Sequence, residues 1–204
     1  MIVRNSLLSL LLLSGAAGSS HWLLHGEVNS APVDLKGAQK FAIDPGHTAV
    51  LWKINHLGFS DTYGRFNEVD GSFVLDADKP ENSSVNLSIK AASIDSNSEG
   101  RDKHLRSPDF LNVKQFPTIS FESTNVARKG ELWQVSGDLK LHGKSKNITV
   151  DVKQHKLAQD PWGKTRTGFE TVFSIDRTEF GITHYSGGIG DQVEITIALE
   201  GVLQ

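Results

Sequence analysis

The sequence predicts an all-β protein, an antiparallel up-and-down β-barrel of about eight strands with one short helical insertion. Three observations predict it. From Phe41 onward, apolar and polar residues alternate over most of the chain, the period-two pattern of strands with one buried and one wet face. These eight or nine runs are joined mostly by short turn signals, and no helical stretches stand ready to cover a second face. A single stretch, residues 96–121, breaks the alternation with helical signals.

In chain order, Val50, Trp52, Ile54 and His56 share one face of the first clear strand, and Leu51, Lys53 and Asn55 the other. Gly58 and Ser60-Asp61 end this run. Residues 63–68 and 72–75 read as a second and third strand around Asp70-Gly71, a hairpin turn signal. Residues 76–83 form a polar loop containing Pro80. Next comes the cleanest alternation of all. Val85, Leu87 and Ile89 point inward, and Asn86, Ser88 and Lys90 point to water.

The helical stretch follows. Ser96 and Glu99 have the spacing of a capping box, which predicts a helix start. Ser107 before Pro108 is a second start signal, with serine as N-cap and proline at the first helical position. Phe116-Pro117 ends the region, because a residue before proline is pushed to extended geometry.

Alternation then resumes. Ile119 and Phe121 oppose Ser120, Glu122 and Thr124. Trp133, Val135, Gly137, Leu139 and Leu141 share a face, and His142-Gly143-Lys144 turns the chain. Ile148, Val150 and Val152 return on the buried side. Asp160-Pro161-Trp162-Gly163 is a loop before a strand with Phe169, Phe173 and Ile175 inside. Ser186-Gly187-Gly188 leads into the last strand, where Val193, Ile195, Ile197 and Leu199 face inward.

The 204 residues favour one domain. A net charge of −3, with no run of like charges, argues against nucleic acid as the main partner. Residues 1–18 have the plan of a secretory signal peptide. Arg4 precedes an apolar stretch over residues 7–13, and the small residues Gly15-Ala16-Ala17-Gly18 follow. An uncleaved anchor would have to recruit Ser19, Ser20 and His21 to reach bilayer length. Residues 19–40 read as a flexible lead-in with an apolar Trp22-Leu23-Leu24 island. The chain has no cysteine, so neither a lipid-modified cysteine nor a disulfide contributes, and packing alone must hold the barrel.

Catalytic and metal signals are weak. Asp102, His104 and Ser107 lie close in sequence, but residues two apart on a helix point in different directions, and no Gly-x-Ser-x-Gly elbow is present. Of the eight histidines, at positions 21, 25, 47, 56, 104, 142, 155 and 184, only His21 and His25 stand at His-x-x-x-His spacing, and both precede the predicted barrel. Within the barrel a metal site would have to gather histidines and carboxylates from distant segments, and none is assigned. His56, on an apolar face, reads as a hydrogen-bonded core histidine or as a polar contact near a barrel mouth.

The helical stretch also carries a resemblance. Arg101-Asp102-Lys103-His104-Leu105-Arg106-Ser107, Asp109-Phe110-Leu111 and Phe116-Pro117 are joined by His56-Leu57-Gly58, Gly64-Arg65-Phe66, Asp70-Gly71, Asp160-Pro161-Trp162-Gly163 and Gly168-Phe169. In this order and spacing they resemble the YceI-like family over residues 41–203. The resemblance implies a lipocalin-like barrel over residues 41–204, located in the periplasm, that binds polyisoprenoids without catalysing a reaction. The implied partner is an isoprenoid-type lipid, an isoprenoid quinone included. No other cofactor, nucleic acid or stable membrane insertion is expected, and a homodimer is carried as a candidate state.

On composition alone, the aromatic faces read as plain core. With the resemblance they read as the walls of an apolar tunnel. The ligand-lining residues are then Val50, Trp52, Ile54, His56, Phe66, Phe73, Val85, Leu87, Ile89, Leu105, Phe110, Phe121, Phe169, Phe173, Ile195 and Ile197. The alternatives are a hydrolase using Asp102, His104 and Arg106 at the barrel mouth, and a binding module for fatty acids or amides.

Overall fold

The computed structural model describes residues 33–204. The signal-peptide reading and the Trp22-Leu23-Leu24 island fall outside the described residues. Eight staves close into an antiparallel barrel. The first stave is made of β1 (Gln39–Ile43) and β2 (Ala49–His56), joined end to end through one 3-10 turn at Pro45–His47. The second is made of β3 (Ser60–Phe66) and β4 (Val69–Leu75). Then follow β5 (Ser84–Lys90), β7 (Thr118–Lys129), β8 (Leu132–Leu141), β9 (Lys144–Gln159), β10 (Thr165–Asp176) and β11 (Ile189–Leu203). The short β6 (Ile94–Asp95) extends the line of β5 beside β3. The long β11 closes the ring, pairing with β2 along one part and with β1 at its end.

The predicted Asp70-Gly71 hairpin is not formed. β3 and β4 continue one another and do not pair; each faces a different half of the first stave. Asp70 and Gly71 lie inside β4, opposite Ser88 and Leu87. Glycine is needed there for a different reason than a turn. A Cβ at Gly71 would stand 2.2 Å from the carbonyl oxygen of Asn86, so its absence lets the neighbouring strand approach. Ser60-Asp61, read as a break, are paired strand residues opposite His56 and Asn55. The β8–β9 turn falls where predicted but is one residue shorter: His142 and Gly143, both at positive φ, form a two-residue hairpin, and Lys144 already pairs with Leu141.

Between β5 and β7 the helical insertion is shorter than the sequence signals indicate. One helix forms, α1 (Glu99–Leu105), with Ser98 rather than Ser96 at its N-cap. Ser96 is instead tied to the helix by its side chain and amide. Asp102 Oδ1 accepts from Ser96 N at 2.9 Å and from Ser96 Oγ at 2.5 Å. Arg101 donates to Ser96 Oγ and to its carbonyl. Ser107-Pro108 starts a series of turns and not a second helix. Ser107 Oγ accepts from Asp109 N at 3.3 Å, an interaction that serves a tight turn as readily as a helix start.

Two apolar clusters fill the two ends of the barrel. Toward α1 lie Val50, Phe66, Ile89, Phe110, Leu111, Phe180 and Ile182. Toward the opposite end lie Phe41, Phe73, Leu87, Trp133 and Leu199. There Phe41 and Phe73 stack at 4.9 Å between ring centroids, and Phe169 meets Phe73 edge-on at 5.3 Å.

Arg166 locks that opposite end electrostatically. Its guanidinium donates to Asp44 at 2.5 Å, to Asp160 at 2.8 Å and to Glu200 at 3.3 Å. It thereby joins the bend of the first stave, the β9–β10 loop and β11. The Arg166 guanidinium, and after it the hydrogen bond from His47, lower the Asp44 carboxyl from 3.8 to about 2. A carboxyl lowered in the folded state stabilises the fold above its ordinary pKa, and that stability is lost as pH falls toward the folded value. Urea midpoints of wild type and Asp44→Asn should therefore differ by a constant gap above about pH 5, narrowing between about pH 4 and pH 2. A gap unchanged down to pH 2 would contradict this account of Asp44.

Candidate functional site

The barrel encloses a cavity of about 480 Å³, within the range of small-molecule sites. Its lining is overwhelmingly apolar, and every stave contributes to it. The cause is the strand period. Alternate residues point inward on every stave, and here those positions carry Val, Ile, Leu, Phe and Trp.

All sixteen residues predicted to line the interior are placed on the cavity wall. Val50, Trp52, Ile54 and His56 descend β2, with Ile195 and Ile197 opposite Trp52 and Val50 on β11. Phe66 and Phe73 come from the second stave. Val85, Leu87 and Ile89 come from β5, and Phe121 from β7 opposite Leu87. Phe169 and Phe173 come from β10. Leu105 and Phe110 reach in from α1 and the turn after it. His56 corrects one expectation. It is not a core histidine; it is exposed at the end of β2, where the wall meets solvent.

Further wall residues were not in the predicted set. Val135, Leu139, Val150, Val152, Val193 and Leu199 line the cavity; their alternation marked them as inward-facing in the same way. Ile182, from the connection between β10 and β11, and Ile189, at the start of β11, also line it, and no run of alternation marks Ile182. Trp52 lies flat against β3 because Gly64 has no side chain; a Cβ there would be 2.2 Å from the indole. The Trp52 Nε1 donor is buried without a hydrogen-bond partner among the described residues.

The connection between β10 and β11 is organised by Arg177, which sequence reasoning missed. Its side chain is 4% exposed. It donates to the carbonyls of Gly190, Ile182, His184 and Ile189, and to Asp191 Oδ1 at 3.0 Å. A planar guanidinium presents five donors in a fixed fork. One side chain thus satisfies two carbonyls of the connection, Ile182 and His184, and two at the start of β11, Ile189 and Gly190. The signal in sequence is a lone arginine between strand and loop, which looks like any surface cation.

The side chains weighed for hydrolysis are directed elsewhere. Asp102 is buried against Ser96, and His104 Nε2 pairs with Asp109 Oδ2 at 2.8 Å. Ser107 Oγ accepts from the Asp109 amide, and Arg106 donates to the carbonyls of Ala92 and Ile94 at a strand end. No Asp–His–Ser relay is assembled from these three residues.

Eight staves, one apolar chamber and a short helix beside its mouth define a small up-and-down barrel built around an interior cavity. The chain belongs to the YceI-like family, whose domain matches residues 41–201. A UPF0312 protein of Pectobacterium carotovorum is 41% identical over 175 residues, covering 86% of this chain and 91% of the relative. Two solved structures share the fold. BcnA of Burkholderia cenocepacia superposes with a TM-score of 0.71 at 22% identity, covering 78% of this chain and 98% of that one. A polyisoprenoid binding domain from Saccharophagus degradans gives 0.62 at 14% identity, covering 80% and 98%.

Proposed function

We propose that this protein binds a long apolar lipid of the isoprenoid type inside the barrel, and holds or carries it through the periplasm without chemical change. The observation that carries the reading is the continuous apolar wall around a cavity of about 480 Å³. An isoprenoid chain has almost no hydrogen-bonding groups outside its head. Such a wall holds it by area, at about 25 cal/mol per Å² of apolar surface removed from water. The likeness to a polyisoprenoid binding domain supports the ligand class. The unpartnered Trp52 Nε1 in the wall supports a head group with an acceptor, such as the carbonyl of an isoprenoid quinone, since an unmade buried hydrogen bond costs about 1–3 kcal/mol.

The test is mass spectrometry of solvent extracts from the purified full-length protein. A prenyl lipid at one per chain is the expected result. A fatty acid or amide at that stoichiometry would replace the isoprenoid reading, and an empty barrel that turns over a lipid ester would replace it with a hydrolase.

A further inference from the structure

We propose that His104, Asp109 and His184 form a divalent transition-metal site, of the kind zinc takes, at the mouth of the barrel. The three side chains come from α1, from the turn after it and from the β10–β11 connection. Their donor atoms all lie within 4.8 Å of one another. His104 Nε2 is 2.8 Å and His184 Nε2 3.9 Å from Asp109 Oδ2. Zinc bonds of about 2.0–2.2 Å at tetrahedral angles place donor atoms about 3.4 Å apart. The two distances bracket that value, and the third pair of donors lies within 4.8 Å.

The donor set fits the chemistry. Two imidazoles and one carboxylate are the protein ligands of many three-ligand metal sites that keep a position open. The rings are also held in place. His104 and His184 each meet Phe110 edge-on, at 5.0 and 5.2 Å between centroids, and Phe110 is itself buried. The His184 backbone is anchored through its carbonyl to Arg177 at 2.9 Å.

A second histidine–carboxylate group, Asp44, His47 and Glu200, looks alike by composition. It is already neutralised, because the Arg166 guanidinium donates to both carboxylates. At Asp109 the situation differs. The nearby arginines are committed elsewhere: Arg101 to Ser96, Arg106 to backbone carbonyls and Arg177 to the loop it organises. The ion pairs found at Asp109 among the described residues are those with the two histidines.

A metal here ties the segment that carries α1 to the β10–β11 connection, two pieces of chain about eighty residues apart in sequence that meet beside the cavity. Binding should therefore stiffen the mouth as well as stabilise the fold. This inference does not depend on which lipid the barrel holds.

The experiment is calorimetric titration of the chelator-stripped full-length protein with zinc chloride, beside His184→Gln, Asp109→Asn and His47→Gln. Wild type and His47→Gln should bind one zinc per chain with equal affinity and gain thermal stability from it. His184→Gln and Asp109→Asn should lose the tight binding event and the thermal shift, with circular dichroism spectra unchanged. The proposal is overturned by an absence of saturable binding in wild type, by undiminished binding in both site variants, or by loss of binding in His47→Gln. If Asp109→Asn fails to fold, His104→Gln takes its place with the same expected loss.

Discussion

Leu87→Trp should empty the barrel of lipid while Ser88→Trp, one residue along, leaves it full. Leu87 is 6% exposed and sits on the cavity wall, opposite Gly71 on one side and Phe121 on the other. Ser88 is exposed on the outer face of the same strand. The strand period makes the difference between the two positions all-or-none. The indole at position 87 would occupy space that the ligand chain needs. Extracted lipid per protein should fall severalfold in Leu87→Trp and match wild type in Ser88→Trp. Urea midpoints of the delipidated proteins add a second reading. Where the ring enters ligand space, the empty fold loses little stability; where it enters close-packed core, overpacking costs about 1–3 kcal/mol. Leu87 also packs within the cluster of Phe41, Phe73 and Leu199, so the stability measurement separates core from chamber at this position. Full occupancy in Leu87→Trp, or equal loss in both variants, would remove β5 from the site.

Arg177→Met should be the most destabilising single change on the cavity wall. It removes the donors of four backbone carbonyls and of Asp191 at once, in a place where the side chain is 4% exposed. Methionine approximates the volume and returns none of the hydrogen bonds. Breaking a buried charged network by deleting one partner typically costs about 3–5 kcal/mol, and that loss is expected in urea unfolding. Arg177→Lys should recover only part of it, because an ammonium cannot span the carbonyls that the guanidinium fork reaches. Amide exchange should accelerate in the connection between β10 and β11 before it does in the strands. A loss below about 1 kcal/mol, the scale of a single net hydrogen bond, would mean that the loop holds its shape without Arg177.

The strand interior was the legible part of this protein. Val85, Leu87 and Ile89 could be assigned to the inside from sequence because alternation is local; a strand's neighbours do not change which of its residues share a face. The same holds for Phe169 and Phe173 on β10, and for Ile195 and Ile197 on β11. The two-residue turn at His142-Gly143 was equally local, since positive φ at both positions is a property of the turn itself.

Other signals were local in form but had their meaning set by distant partners. Asp70-Gly71 has the composition of a hairpin turn, yet the glycine serves the close approach of Asn86 from the next stave. Ser96 and Glu99 have capping-box spacing, yet Asp102 and Arg101 claim Ser96, and the helix starts at Ser98. Ser107-Pro108 begins turns and not a helix, because Arg106, Ser107 and Asn112 tie that segment into tight turns that a continuous helix cannot make.

What the sequence by itself determined was the barrel class and the inward face of β2, β5 and β7 to β11, because period-two alternation is written residue by residue. Tertiary structure alone decided how the first two staves bend, how Arg177 gathers a loop, and that His104, Asp109 and His184 meet at one place. Those outcomes depend on contacts between segments far apart in the chain, and side-chain spacing along a strand or helix carries no record of them.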